Sequence, residues 1–254
     1  MSVLFVEGPH QNPGMSRLTF IRHAQASYGS DNYDQLSPTG WKQANILGEY
    51  LARRHPVFTK IYLGPLRRHR ETFSCLESAY QRYAIPLPEV VVLPELIEHR
   101  GPAVMRHVLP LLLEEEPTWA QWMRESADDH ALRRKYHLRL FDEVMRRWAA
   151  GTLDRLEAPY QNWAEFRAHV ARAMQQILAE NPEPGHRIGV FSSGGTMSAA
   201  AGFALGMEDP VKIIELNSRV FNTSFSKFLF SGERISLQSF NEVPHLEETL
   251  WTLV

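Results

Sequence analysis

The residues best equipped for chemistry are the dipeptide Arg22-His23. Arginine is a permanent cation whose planar fork matches phosphate oxygens. A neutral imidazole is a nucleophile and a proton carrier. The pairing itself decides little, because Arg54-His55, Arg68-His69 and Arg106-His107 repeat it. Position discriminates. Residues 18–21, LTFI, read as a buried strand, and the dipeptide falls where that strand runs out. In open α/β sheets ligands bind just beyond the carboxyl ends of the strands.

Other strand ends carry matching groups. Residues 58–63 read as a second strand broken by Gly64-Pro65, with Arg67, Arg68 and Arg70 in the first turns of the helix that follows. Arginines there oppose the helix dipole, which points to an anion that offsets the repulsion. After a short strand at residues 90–93 come Glu95 and Glu98. After a strand at residues 187–191 comes Ser192-Ser193-Gly194-Gly195-Thr196, a turn whose free N–H groups open a helix and favour an anion. Two guanidiniums, an imidazole and a ring of N–H donors suit a phosphate dianion. A carboxyl group of raised pKa, Glu98 or Glu95, would donate a proton to a leaving alkoxide. No His, Asp and Glu residues fall at metal-ligand spacing, so the chemistry is read as free of metal and cofactor.

Composition narrows the classes. The 254 residues are 44% hydrophobic, enough for one large core. Lys and Arg number 27 against 29 Asp and Glu, so no overall field favours nucleic acid or a membrane surface. The single cysteine, Cys75, rules out an intrachain disulfide and a cysteine-rich zinc site, and its apolar neighbours predict a buried thiol. No apolar run approaches the ~20 residues that span a bilayer, and no signal-peptide pattern opens the chain. The expectation is a cytoplasmic protein.

The elements that must position these groups follow in order. Residues 1–16 read as a tail and residues 17–254 as one α/β domain. Residues 26–36 are a polar loop. Ser37-Pro38 opens a helix with Trp41, Ala44, Leu47, Gly48 and Leu51 on its inner face. Arg53, Arg54 and His55 close that helix and Pro56 stops it. The helix after Gly64-Pro65 presents Leu66, Phe73, Leu76 and Tyr80 to the core. A helical insertion occupies about residues 100–161, divided early by Pro110 and Pro117. Its clearest stripe is Leu132, Tyr136, Phe141, Val144, Met145 and Trp148. Asn162 with Glu165 forms a capping box for a helix to Glu180. A hairpin around Ser231-Gly232-Glu233 ends the sheet. Alternating strands and helices predict a mostly parallel sheet covered on both faces.

The segments FIRHAQAS, LSPTGWKQANILGEYL, GPLRRHRETF and GVFSSGGTMSAAAG occur in that order. Together they resemble the histidine phosphatase (phosphoglycerate mutase-like) superfamily over about residues 17–242. That family's pattern is RHG after the first strand, an LTxxGxxQA helix, SxLxRAxxT, an LxE and a late SHGG. The resemblance implies a three-layer α/β/α sandwich with an antiparallel edge and the helical insertion near the site. It implies a phosphomonoester hydrolase that works through phosphohistidine on a small phosphorylated substrate. It makes His23 the phosphorylated nucleophile, Arg22 the first phosphate clamp and Arg68 the second. Glu98 becomes the acid, with Glu95 second. Gln25, Ser27, Ser193 and Gly194 become phosphate or substrate contacts.

Two departures stand out. Ala24 replaces the usual glycine, and Ser193 stands where the family has its second histidine. Serine donates a hydrogen bond but carries no charge. Losing one charge-assisted transition-state contact costs about 2.7–4 kcal/mol, roughly a hundred- to a thousandfold in rate. His69 and His99 are the candidates to compensate. The competing readings are a homologue that binds a phosphorylated ligand without turnover, favoured by Ser193, and a phosphoglycerate mutase.

Overall fold

The structure is a computed structural model that describes residues 15–27, 33–54, 57–153 and 160–253. His55, Pro56, most of the tail and part of the polar loop and of the insertion lie outside the described residues. Among the described residues six strands form one sheet: β1 (Ser16–Arg22), β2 (Lys60–Leu63), β3 (Glu89–Val92), β4 (Arg187–Ser192), β5 (Phe225–Ser231) and β6 (Arg234–Glu242). Their order is β3-β2-β4-β1-β5-β6. The first four run parallel, while β5 is antiparallel to β1 and β6 to β5.

Alternation along the strands creates two cores. Leu18 and Phe20 of β1, Tyr62 of β2 and Ile188 and Val190 of β4 face one layer. Ile21, Ile61, Leu63 and Phe191 face the other. Successive side chains on a strand point to opposite faces, so each strand feeds both. Helices α1 (Pro38–Arg54) and α2 (Arg67–Arg82) cover the second face. The first is covered by α3 (Gly101–Glu115), α4 (Pro117–Glu125), α5 (His130–Ala149), α6 (Trp163–Glu180), α7 (Gly194–Leu205) and α8 (Pro210–Asn217). This is the expected three-layer α/β/α sandwich with an antiparallel edge. No described helix is long and apolar enough to cross a membrane.

Several local expectations change. Ser16 belongs to β1, one residue inside the expected tail, because it pairs with Phe230. Trp41 is 39% exposed, since the inner face of α1 is set by Gly40, Gln43, Ala44, Leu47, Gly48 and Leu51. Leu66 is the half-buried residue before α2 rather than a core contact. Pro110 does not divide the insertion: α3 runs through it. Pro110 is exposed while Val104, Met105, Val108 and Leu112 anchor the opposite face, so packing outweighs the one missing hydrogen bond. Pro117 does open α4. In α5 Val144, Met145 and Trp148 are buried, but Leu132, Tyr136 and Phe141 only partly. Asn162 and Glu165 form the complete capping box of α6.

The register levels the strand ends. Arg22 is paired with Ser192, and Leu63 with both Phe191 and Val92. The chain leaves β1 toward β2 and leaves β4 toward β5, so the crevice between β1 and β4 is the topological switch point.

A partly buried imidazole near this end makes the fold sensitive to acid. His245 packs against Tyr50 and Phe225, with ring centroids 5.6 and 6.0 Å away, and its Nε2 lies 3.0 Å from Thr223 Oγ1. Burial lowers its pKa to about 4. The unfolded chain takes up a proton near pH 6.5 and the folded chain does not. Stability is therefore full above about pH 6.5 and falls as pH drops toward 4, by on the order of 3 kcal/mol from this group. In His245→Phe, urea unfolding between pH 7 and 4.5 should show a shallower loss by up to one proton. An unchanged pH slope would refute this assignment.

Candidate active site

His23 follows β1 directly and is 4% exposed. Its backbone is pinned on both sides. Its N–H donates to Ser192 O at 2.8 Å, and its carbonyl accepts from Thr223 N and the Asn222 side chain. The ring is oriented by Ala24 O, 2.7 Å from Nδ1, which places the proton on Nδ1 and the lone pair on Nε2. Arg68 Nε donates to that Nε2 at 3.1 Å. Burial, then the Arg68 and Arg22 charges, hold the imidazole well below its usual pKa, so it is neutral. Ala24 is not among the residues of positive φ, so this site has no need of the family's glycine.

Arg68 is carried in the first turn of α2 and is 6% exposed. Leu66 cannot cap that helix, and the polar loop supplies the cap. Asp34 accepts from Arg67 N at 2.9 Å, and its Oδ1 accepts from Arg68 Nη1 at 2.8 Å. This carboxylate is the anion that the arginine-rich helix start required. Glu71 pairs with Arg67, while Arg70 is exposed. Asp34 was missed in the sequence. The signal was available as a helix start without a capping side chain.

Arg22 closes the other side. Its Nη1 donates to Val220 O and its Nη2 to Leu253 O, the latter at 2.7 Å. Its Nε is buried without a partner among the described residues and lies beside Gly194, where a Cβ would come within 3.3 Å. Burial lowers its pKa to about 10, and the Glu98 carboxylate opposes that shift. It remains a cation.

Glu98 reaches the turn after β4. Its Oε2 accepts from Gly195 N at 3.0 Å and its Oε1 from His99 N at 2.9 Å. The helix N-terminus predicted to hold an external anion thus holds this carboxylate. Ser192 Oγ donates to Leu96 O at 2.6 Å and Thr196 Oγ1 to Ile97 O at 3.3 Å, which ties residues 96–98 to the turn. Gly195 is required by close approach: a Cβ there would sit 2.3 Å from Glu98 Oε1. Glu95 stays on the short 3-10 turn Pro94–Leu96. With Glu98, Arg100, Glu165 and His169 it lines a cavity of about 550 Å³. Of the groups proposed for catalysis at the strand ends, Glu98 is the one that lines that cavity.

The remaining candidates divide. Gln25 is half-buried and its Oε1 accepts from Ser37 Oγ at 2.7 Å, joining the loop to the start of α1. Ser27 N donates to Gln35 O within the loop. His99 sits between Trp148 and Phe166, with Nε2 3.5 Å from Glu98 Oε1 and 3.3 Å from the Asn217 amide. It does not reach Ser193. His69 does, with Nε2 2.7 Å from Ser193 Oγ. Cys75 is a buried free thiol, its pKa raised by burial. Among the described residues no group of three His, Cys, Asp or Glu is placed to hold a metal ion.

The family model described as histidine phosphatase superfamily (branch 1) matches residues 18–158, more than half of the chain. The chain belongs to that superfamily. No curated protein matches it by sequence. Among solved structures it is similar to a mycobacterial glucosyl-3-phosphoglycerate phosphatase, with 19% identity over 90% of this chain and 100% of that one, and a TM-score of 0.57. Phosphoglycerate mutase from Bacillus anthracis gives 14% identity, 92% and 96% coverage, and 0.59. The α-ribazole phosphatase from Shigella flexneri gives 17% identity, 89% and 96% coverage, and 0.57. At such identities these structures share the fold with this chain. The family match ends before β4, so Ser193 lies beyond it.

Proposed function

We propose that this histidine phosphatase superfamily member is a phosphomonoester hydrolase acting through phospho-His23. The observation that carries the reading is the neutral imidazole whose Nε2 lone pair faces the Arg68 fork at the end of β1. An entering phosphoryl group displaces the Arg68 Nε–H from His23. The arginine N–H groups released there, and the unpartnered Nε of Arg22, then take phosphoryl oxygens. His23 Nε2 attacks phosphorus in line, and the bond to the ester oxygen breaks. Glu98 delivers a proton to the departing alkoxide. As carboxylate it then takes a proton from water, whose oxygen attacks phosphorus as the N–P bond breaks and phosphate leaves.

Two facts support this order. Glu98 borders both the strand-end cluster and the 550 Å³ cavity, so a leaving group lodged in that cavity meets the acid at its mouth. The mycobacterial phosphatase of similar fold forms complexes with inorganic phosphate and with VO3. The expected substrate is a small phosphorylated molecule, and the chemistry uses protein groups alone.

Incubation with phenyl phosphate, quenching in base and peptide mapping should place an alkali-stable, acid-labile phosphoryl group on His23 during turnover. Binding of phosphate with neither turnover nor phosphohistidine would replace this reading by that of a ligand-binding homologue.

A further inference from the structure

One serine at the strand ends breaks a local rule. Ser193 stands at the N-cap of α7 with extended backbone, and serine is a preferred capping residue. Its side chain nevertheless caps nothing. The N–H of Gly195 is taken by Glu98 instead, and the Ser193 hydroxyl turns to His69 Nε2 at 2.7 Å. Both residues are fully buried. Local rules are broken most often where function demands it.

His69 is built into this position. It follows Arg68 in the first turn of α2, and its ring centroid lies 5.7 Å from that of His23. Its Nδ1 edge lies against Gly64 at the end of β2, where a Cβ would come within 2.2 Å. Gly64 and His69 therefore depend on one another. In the family pattern the residue after the second arginine is alanine and the residue of the late turn is histidine. Here the first position is His69 and the second is Ser193. One imidazole remains in the wall beside His23, but it comes from α2 and meets a hydroxyl.

We propose that Ser193 and His69 work as a pair in phosphoryl transfer. Ser193 is the catalytic contact and His69 the residue that positions it. Because His69 Nδ1 has no hydrogen-bond partner among the described residues, the ring proton is assigned to Nε2, which donates to Ser193 Oγ and directs the hydroxyl proton toward an oxygen of the phosphoryl group. Burial, with the adjacent Arg68 charge, keeps His69 neutral. The hydrogen bond strengthens as charge builds on that oxygen. The pair thus supplies a donor that favours the transition state over bound phosphate. This rests on the phospho-His23 reading, but its test does not require turnover.

The test compares vanadate, a five-coordinate mimic of the transition state, with inorganic phosphate by titration calorimetry. In Ser193→Ala and in His69→Ala, vanadate affinity should fall roughly a hundredfold and phosphate affinity much less. The double variant should lose no more than either single one, because the two residues act as a unit. The exchange His69→Ala with Ser193→His should regain most of the lost vanadate affinity, which a purely structural role for His69 would not allow. Equal losses for both anions, additive losses, or an exchange that regains nothing would overturn the pair. Failure of the hydrolase reading would show elsewhere, as wild-type protein that binds vanadate without forming phospho-His23.

Discussion

Replacing His23 with alanine should reduce hydrolysis of phenyl phosphate by on the order of 10⁵-fold or more, since the nucleophile carries the whole covalent route. The fold should survive. The backbone bonds of residue 23 to Ser192, Thr223 and Asn222 do not involve the imidazole. Asp34 still holds Arg68 through Nη1, while the ring's contacts with Arg68 Nε, Ala24 O and His69 are lost. Removing a buried imidazole that resists protonation also removes one source of acid lability, because the folded-state pKa is depressed and stability falls as pH drops below about 6.5. The variant should bind phosphate, form no phosphohistidine, and keep a cooperative thermal transition. Retention of wild-type rates would eliminate the covalent mechanism.

Glu98→Gln should separate acid catalysis from architecture. The glutamate oxygens accept one N–H each, from His99 and Gly195. Glutamine can match only one of them, since its amide nitrogen would face the other donor. Some local disorder of the turn is therefore expected with every substrate. Proton donation depends on the leaving group. An alkyl alkoxide needs a proton, whereas 4-nitrophenolate departs without one. With an alkyl phosphate, kcat/KM should fall roughly 10²- to 10⁴-fold. With 4-nitrophenyl phosphate the loss should be under about tenfold. kcat/KM is the proper measure because it stops at formation of the phosphoenzyme and excludes the later attack by water. Equal losses on both substrates would mean that Glu98 only braces the turn.

Much of this site could be read in the chain because it sits on local signals. LTFIRHA announces a strand that ends in Arg-His, and the register confirms that Arg22 ends level with Ser192. Gly194-Gly195 announces a tight strand-to-helix turn, and the space at Gly195 is filled by Glu98 and His99. The choice of Glu98 over Glu95 followed from family spacing. Of the two, Glu98 is the one whose carboxylate accepts from the Gly195 N–H. Trp41 and Pro110 were misread because helical periodicity does not say which face a neighbouring layer will cover. Helix α8 was passed over although Asp209-Pro210 caps it in the ordinary way.

The sequence by itself determined the alternation of strands and helices, the two-sided sheet, and which residue types would arrive at the strand ends. These follow from periodicity, caps and breakers, which act over a few residues. Only the tertiary structure decided the partners. Asp34 on α2, Leu253 O on Arg22, Glu98 on the start of α7, and His69 on Ser193 join residues 33 to 231 positions apart. Such contacts are set by how layers stack and strands register, and no local pattern encodes them. That is why the chain could announce a histidine missing from the late turn, while only packing showed a second imidazole, from α2, bonded to the serine in its place.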